Sequence, residues 1–314
     1  MSTVMTSLFS RRQPGGIFTF QDVEAHPGIV RFVDASHAAA ENALGGGRSP
    51  DKPFSTLAYA MTNAATLTPA LASGDVLYVM PPHTETLAAA AAIACATAGV
   101  KIIGLGWGAA RPTFTFSATT STWTVTAASV YIKNIRITSS VAELVKFFSI
   151  SAASCVLDAV DFVDAGATNT AIQFLLTTAD ADFLTVKNCQ HWKGTAAAAT
   201  EIWVELVGGD NIVIKDNVFM LTLRNVAGVR TLASTTTAPV GLLVDNNRFD
   251  QRGGTTQDLV VSMVTSTTGL YSNNRSFGDV GTLAASIALA SMGASESYQA
   301  TTVNKSGILD PVVA

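Results

Sequence analysis

A short motif recurs along this chain at nearly even intervals, and it constrains the fold more than any other feature. The clearest copy is 212–219, IVIKDNVF, in which apolar residues alternate, an Asn or Asp follows, and a bulky apolar residue ends the motif. The marker position of the six copies is occupied by Asn134, Ala159, Asn188, Asp216, Asn246 and Asn273. These markers lie about 25 to 30 residues apart, a period typical of solenoids.

Each period contains two short strand-like segments and no long segment of helical periodicity. Because alternation of apolar and polar residues indicates strands, this pattern favours a parallel β-helix over a helical or leucine-rich solenoid. Asn and Asp tolerate left-handed backbone and bond their own main chain, so we interpret the markers as corner residues. The pairs Asn246-Asn247 and Asn273-Asn274 are therefore expected to stack structurally rather than to bind a ligand.

One apolar position of each copy is predicted to point into the core and to stack on its equivalents. This interior row comprises Ile132, Val186, Ile214, Val244 and Tyr271. The segments 113–116 and 123–126 resemble an earlier, less regular coil, and Val303-Asn304 is expected to belong to the last one.

The organisation that follows is an elongated solenoid with additions at its N-terminal end. Residues 1–30 carry no repeat and are predicted to form an extended arm for docking, with a leader strand packed on the first coil as the alternative. Residues 31–75 are predicted to form a capping strand, a Gly-rich loop and a short amphipathic helix, with Ser55 as the N-cap and Leu57 and Met61 at helical spacing. This helix would cover the open end of the β-helix, which spans 76–314.

Composition limits the classes of function. Hydrophobic residues make up 48% and charged residues 13% of the chain, so we expect part of the surface to be covered in a homotrimer or another multi-subunit assembly. A net charge of −4 gives no basic surface for nucleic acid. Neither a signal peptide nor a membrane span is expected, and the three separated cysteines are predicted to be buried free thiols. No metal or cofactor site is predicted.

A resemblance to a known class rests on four stretches: FVD at 32–34, SPDKPFSTLAYA at 49–60, GDVLYVMPP at 74–82, and KIIGLGWGAARPTF at 101–114. Their order resembles the opening of right-handed parallel β-helix proteins of the pectate-lyase-like class, which includes structural proteins of tailed-bacteriophage virions. The resemblance implies the fold more strongly than it implies an activity. The Ala/Thr/Ser-rich coils and the short arm are more similar to a virion component than to a secreted pectinase.

The catalytic patterns that the resemblance implies do not occur in this sequence. Polygalacturonase-like members carry an Asp-Asp pair, a Gly-His-Gly and an Arg-Ile-Lys, and none is present. The nearest approach to a clustered calcium site is Asp158, Asp161 and Asp164, which we interpret as solvated turn residues. No catalytic residue is therefore predicted.

The best candidate for a saccharide-binding surface is the strand around Trp203. Strict alternation would place Glu201, Trp203 and Glu205 on its outward face, with Ile202 and Val204 inside. An aromatic ring between two carboxylates suits sugar binding, although a solvated or subunit-contacting face is also consistent with this pattern.

The first hypothesis for function is a non-enzymatic phage structural protein on the exterior of the virion head, formed in the host cytoplasm. It would be a homotrimeric capsid decoration, or cement, protein that contacts the major capsid protein or another virion protein. The predicted contact residues of the arm are Leu8, Phe9, Arg11, Arg12, Ile17, Phe18 and Phe20. The alternatives are a tailspike or tail fibre that binds or cleaves host polysaccharide and, third, a secreted lyase.

Overall fold

The computed structural model describes residues 28–163, 171–192, 202–222, 230–252, 260–278, 287–295, 297–301 and 308–309. Most of the predicted arm, together with Asp164, Glu201 and Val303-Asn304, lies outside these residues. Within them, the chain forms three sheets whose strands run parallel, apart from one antiparallel pair at the C-terminal end.

The three sheets are named by the order in which the chain enters them within a coil. Sheet 1 consists, in spatial order, of β1 (Val30–Val33), β2 (Val76–Val79), β5 (Lys101–Gly104), β8 (Tyr131–Lys133), β11 (Val156–Asp158), β14 (Thr185–Lys187), β17 (Val213–Lys215), β20 (Leu242–Asp245), β23 (Thr268–Ser272) and β26 (Ser291–Ser295). Sheet 2 consists of β3 (Thr84–Leu87), β6 (Thr113–Phe116), β9 (Arg136–Ser139), β12 (Asp161–Val163), β15 (Gln190–Trp192), β18 (Val218–Thr222), β21 (Arg248–Arg252), β24 (Arg275–Gly278), β27 (Ser297–Thr301) and the antiparallel β28 (Ile308–Leu309). Sheet 3 consists of β4 (Ile93–Cys95), β7 (Trp123–Val125), β10 (Phe148–Ile150), β13 (Leu175–Thr177), β16 (Ile202–Leu206), β19 (Arg230–Ser234), β22 (Val261–Ser262) and β25 (Ile287–Ala288).

The connectivity is that of a right-handed parallel β-helix. Each coil passes through sheets 1, 2 and 3 in turn and returns to sheet 1 beside the strand it left, so hydrogen-bonded neighbours belong to successive coils. This arrangement pairs the backbone of each coil with the next one. The predicted fold class is confirmed.

The predicted interior row is also confirmed. Ile132, Leu157, Val186, Ile214, Val244 and Tyr271 are partners in successive strands of sheet 1 and are all buried. The alternation in the sequence identifies this row because successive side chains of a strand point to opposite faces of the sheet. The equivalent rows of sheets 2 and 3 supply an aromatic core, in which the rings of Phe162 and Phe174 meet edge to face at 4.2 Å.

Left-handed residues form the corner between sheets 1 and 2, as the markers predict. All six markers, including the atypical Ala159, have φ between 50° and 58°. Each donates its backbone N–H to a carbonyl oxygen of the next coil, for example Asn188 to Lys215 at 3.3 Å. The corner conformation is thus maintained by inter-coil bonding even where the residue type disfavours it.

A second left-handed corner, between sheets 3 and 1, was not predicted from the sequence. It is formed two residues before a sheet 1 partner position by Ser129, Ser154, Phe183, Asn211 and Gly241, among others, with φ from 55° to 70°. Phe183 is unusual there, since it is bulky, 57% exposed and in a conformation that suits Gly or Asn. The varied residue types at this corner explain why no sequence motif marks it.

The N-terminal cap contains the predicted helix with one correction. Helix α1 (Leu57–Thr62) buries Leu57, Ala60 and Met61, but its N-cap is Thr56 rather than Ser55, because the Thr56 hydroxyl accepts a hydrogen bond from the backbone N–H of Tyr59. A short 3₁₀ helix (Gly108–Ala110) lies in the turn before β6. Helix α1 packs beside β4, at the edge where sheet 3 begins.

Buried charges complete this cap. The carboxylate of Glu85, which points inward from β3, accepts hydrogen bonds from the backbone N–H groups of Leu57 (2.7 Å) and Ala58 (2.9 Å). His83 lies 3.1 Å from the same carboxylate, and its Nδ1 accepts the N–H of Ala35, so its Nε2 is the donor to Glu85. The cap is therefore fixed to the first coil by polar contacts as well as by apolar packing.

Candidate functional site

The structure corrects the placement of Trp203, the central residue of the predicted saccharide surface. Its side chain is 1% exposed and lies in the core, stacked on the ring of His191 with centroids 4.0 Å apart. Glu201 lies outside the described residues. Trp203 therefore does not form an outward platform beside Glu205.

The alternation fails at Trp203 because the chain bends as it enters sheet 3. Two consecutive residues point inward at this place, as Trp203 and Val204 do here and as Phe147 and Phe148 do two coils earlier. One coil beyond Trp203, the N–H groups of two consecutive residues donate to the same carbonyl oxygen, that of Val260, which is the bonding pattern of a β-bulge. The period-2 pattern applies only after this bend.

Glu205 does lie on the outer side of sheet 3 and is half-buried. One carboxylate oxygen accepts from Nε2 of Gln173 at 2.6 Å, and the other accepts from the hydroxyl of Thr235 at 2.7 Å. Gln173 belongs to the preceding coil and Thr235 to the following one. Glu205 thus joins three successive coils.

Asp158 is the most extensively bonded carboxylate on the outer side of sheet 1. It accepts from the hydroxyl of Tyr131 (2.7 Å) and from Nδ2 of Asn188 (2.9 Å), and the ammonium groups of Lys133 and Lys187 lie 3.7 and 3.6 Å away. Burial opposes ionisation of Asp158, but these hydrogen bonds and cations outweigh it and lower its pKa. Burial raises the pKa of the Tyr131 hydroxyl, and its hydrogen bond to the Asp158 carboxylate and the negative charge of that group raise it further.

Asp161 lies around the corner from Asp158, on sheet 2. Its carboxylate accepts two hydrogen bonds from Arg136, at 3.1 and 3.0 Å, and is 3.4 Å from the guanidinium of Arg111. The interpretation of both aspartates as solvated turn residues is wrong, because each is paired across adjacent coils. The described aspartates of this group lie on two different sheets, and the described residues contain no cluster of His, Cys, Asp and Glu suited to a metal ion.

The cysteines are buried and form no disulfide bond, as predicted. Burial raises the pKa of Cys95 and of Cys189 to about 12, although each thiol also receives or makes a hydrogen bond that lowers it. Thiols with such pKa values are protonated at neutral pH and are poor nucleophiles. We assign them to core packing.

The outer face of sheet 1 carries a row of uncharged side chains that runs alongside the charged row of Asp158. Val156, Thr185, Val213, Leu243 and Leu270 are partners in five successive strands, and we call them the outward row. Four are half-buried, and Leu270 is 41% exposed. Phe183 and Val240 (51% exposed) extend this apolar surface around the corner toward sheet 3.

An exposed tryptophan stands at the N-terminal part of the same solenoid. Trp107 is 85% exposed in the turn between β5 and β6, where later coils have a single left-handed corner residue. The turn is held by Asn134, whose Nδ2 donates to the carbonyl oxygens of Gly104 and Gly106. Among the described helices, none is long and apolar enough to cross a membrane.

Two solved structures of polysaccharide lyases are similar to this chain. The crystal structure of pectate lyase Pel9A aligns with a TM-score of 0.50 and 11% sequence identity, covering 90% of this chain and 79% of its own. A rhamnogalacturonan lyase aligns with a TM-score of 0.44 and 12% identity, covering 80% of this chain and 68% of its own. No protein-family model matches the chain, and no curated protein does.

At this level of identity the first similarity carries the fold and not the activity. The order of the sheets, the stacked interior row and the left-handed corners agree with it. The chain is a right-handed parallel β-helix of the pectate-lyase-like class in its fold.

Proposed function

We propose that this protein is a non-enzymatic structural protein, and specifically a homotrimeric cement protein that decorates the head of a bacteriophage virion. The observation that carries the non-enzymatic part is the bonding of the outward carboxylates. Asp158, Asp161 and Glu205 each join neighbouring coils through hydrogen bonds or ion pairs. Such carboxylates strengthen a rigid scaffold.

The protonation state of Asp158 supports the same conclusion. A carboxyl group that serves as a general acid needs a pKa raised toward neutrality, whereas the pKa of Asp158 is lowered. Asp245 has a lowered pKa for a related reason, since Ser272 and Asn273 donate hydrogen bonds to it. Both groups stay ionised and bonded at neutral pH.

The virion assignment rests on the sequence resemblance and on the low charge of the chain. A cement protein acts by covering area across neighbouring coat subunits, so that expansion or rupture must break those contacts. Residues 1–30, with the apolar and basic residues named above, would make the contact with the coat.

The test is co-sedimentation of the purified protein with empty capsids of the phage that encodes it. The control is a variant beginning at Gly28, which keeps the bonds of Ile29 and Val30 to the start of β2. We expect saturable binding that is lost in the truncated variant, whose thermal unfolding should be unchanged. Absence of binding by the full-length protein would overturn the capsid assignment.

The second candidate function is a tailspike that binds or cleaves host polysaccharide, favoured by the fold similarity to a pectate lyase. Of the three residues predicted for a saccharide-binding surface, Glu205 is the described one that lies on the outer side of sheet 3. If the protein ignores capsids but shortens a host polysaccharide, and Glu205→Gln abolishes this activity while the fold is retained, the tailspike hypothesis replaces the first.

A further inference from the structure

We propose that the outward row of sheet 1 is the surface through which copies of this chain contact one another around a three-fold axis parallel to the solenoid. This inference rests on the proposed homotrimer for the number of copies, and it adds the face that forms the contact. The outward row of one copy therefore contacts the outward rows of two further copies of this chain.

Symmetry restricts which residues can lie near the three-fold axis. When identical solenoids pack side by side with parallel axes, each coil lies at the level of the same coil of its neighbours. A residue close to the axis therefore meets its own copies. A charged residue in such a position would face like charges, which is strongly unfavourable, whereas an uncharged residue meets no such penalty.

The outer rows of the three sheets differ in the charged residues that they contain. The other outer row of sheet 1 contains Lys133, Asp158 and Lys187, and the first outer row of sheet 2 contains Arg136 and Asp161. The second outer row of sheet 2 is interrupted by Asp250, and the outer row of sheet 3 is interrupted by Glu205.

The outward row of sheet 1 is charged at Lys101 and then has no charged residue from Tyr131 through Gly293, over seven successive described strands. This is the longest uncharged run among the outer rows, and within it the symmetry requirement is met.

The outward row is also mainly apolar. The outer face of sheet 1 carries apolar side chains at Val156, Val213, Leu243 and Leu270. The core of the solenoid is already filled by the interior row on the opposite face of this sheet. With Phe183 beside them, the four outward side chains form an apolar strip bordered on one side by the charged row of Asp158. An apolar centre with a polar border is the usual anatomy of a permanent interface.

The first experiment measures the mass in solution of the full-length protein and of two variants. Leu270→Asp combined with Leu243→Asp would place six carboxylates around the axis, and we expect this variant to be monomeric. Val163→Asp is the matched control, because Val163 also points outward from a strand and is also 41% exposed, but lies on sheet 2. It should remain trimeric, and circular dichroism should show both variants to be folded.

A second experiment does not depend on disruption. The native cysteines are buried, so a single added cysteine at Thr185 would be the reactive thiol among those of the described residues. With copper–phenanthroline and oxygen as the oxidant, two such thiols from different copies lose two electrons and two protons to form a disulfide. Thr185→Cys should yield covalent dimers, whereas Thr124→Cys, on the outer face of sheet 3, should not.

The outcomes separate this inference from the proposed function. A trimeric protein in which the Leu243/Leu270 variant stays trimeric and Thr185→Cys fails to cross-link would overturn the contact face and leave the structural role intact. A monomeric wild-type protein would overturn the homotrimer, and the contact face with it.

Discussion

The amide of Asn247 and the carbonyl oxygen of the Asn274 side chain, one coil further on, form a buried hydrogen bond of 2.9 Å. The side-chain carbonyl of Asn247 in turn accepts from both the backbone N–H and Nδ2 of Asn217, in the preceding coil. This ladder provides hydrogen-bond partners for backbone groups of the corner that are not paired within the strands. It continues a column whose earlier members are Cys189 and Val160.

Replacing Asn247 by Ala is expected to lower the free energy of unfolding by about 2 to 4 kcal/mol, because buried backbone groups, including the N–H of Asn217 and the carbonyl of Ile214, would lose their partners. Urea unfolding followed by circular dichroism measures this change. The control is Asn246→Gly, at the adjacent exposed corner, which should cost less than about 1 kcal/mol. Equal losses in the two variants would argue against the ladder.

The corner at Ala159 offers a gain in stability. Ala159 has φ of 55°, where an alanine is disfavoured, so Ala159→Gly is expected to raise the free energy of unfolding by about 0.5 to 1 kcal/mol. Asn246→Ala, the reverse kind of change at an equivalent corner, should lower it. A rise in the urea midpoint for the first and a fall for the second are predicted; a fall for both would contradict the strain assigned to Ala159.

The features of the fold that could be predicted from the sequence are those set by residues close to one another in the chain. The interior row around Ile214 and the corners at Asn188 and Asn246 follow from local alternation and backbone preference, and both were predicted. The inward position of Trp203 was not, because two consecutive residues, Trp203 and Val204, point inward at the entrance to sheet 3, where the next coil has the bonding pattern of a bulge. A bulge depends on the bonding of neighbouring coils, which a single strand sequence does not contain.

The polar contacts of the cap and of the outer faces escaped prediction for a related reason. Glu85 and Leu57 are 28 residues apart, and Gln173 and Glu205 are 32 apart. Such pairs meet only once the coil length is fixed. The outward row could have been found by writing the repeats in register and noting which outer position remains uncharged.

The lowered pKa of Asp158 predicts a pH dependence of stability. A carboxyl whose pKa is lower in the folded than in the unfolded state stabilises the fold above its unfolded pKa of about 3.9, and this contribution is lost as pH falls through the folded pKa. The urea midpoint of the wild-type protein should therefore fall below about pH 4. Because Asp158→Asn removes this contribution, the difference between the two proteins should shrink as the pH is lowered from 7 to 3. A difference that stays constant over this range would show that Asp158 does not contribute through its charge.

The attachment of the cap is tested at Glu85. Glu85→Gln replaces a carboxylate that accepts from the N–H groups of Leu57 and Ala58 by an amide with a single acceptor oxygen, so the first turn of α1 should loosen. We expect a loss of about 1 to 3 kcal/mol and faster hydrogen exchange at Leu57 and Ala58, with the exchange of Ile214 much less affected. Unchanged exchange at the helix would show that apolar packing alone holds the cap.

The mass of the full-length protein in solution tests most directly whether this β-helix assembles into the proposed homotrimer. Light scattering on the protein eluting from a sizing column at micromolar concentration gives that mass without reference to shape. We predict three times the chain mass of 32.6 kDa, unchanged between low and moderate salt because the proposed contact is apolar. A mass of one chain at all concentrations would contradict the account.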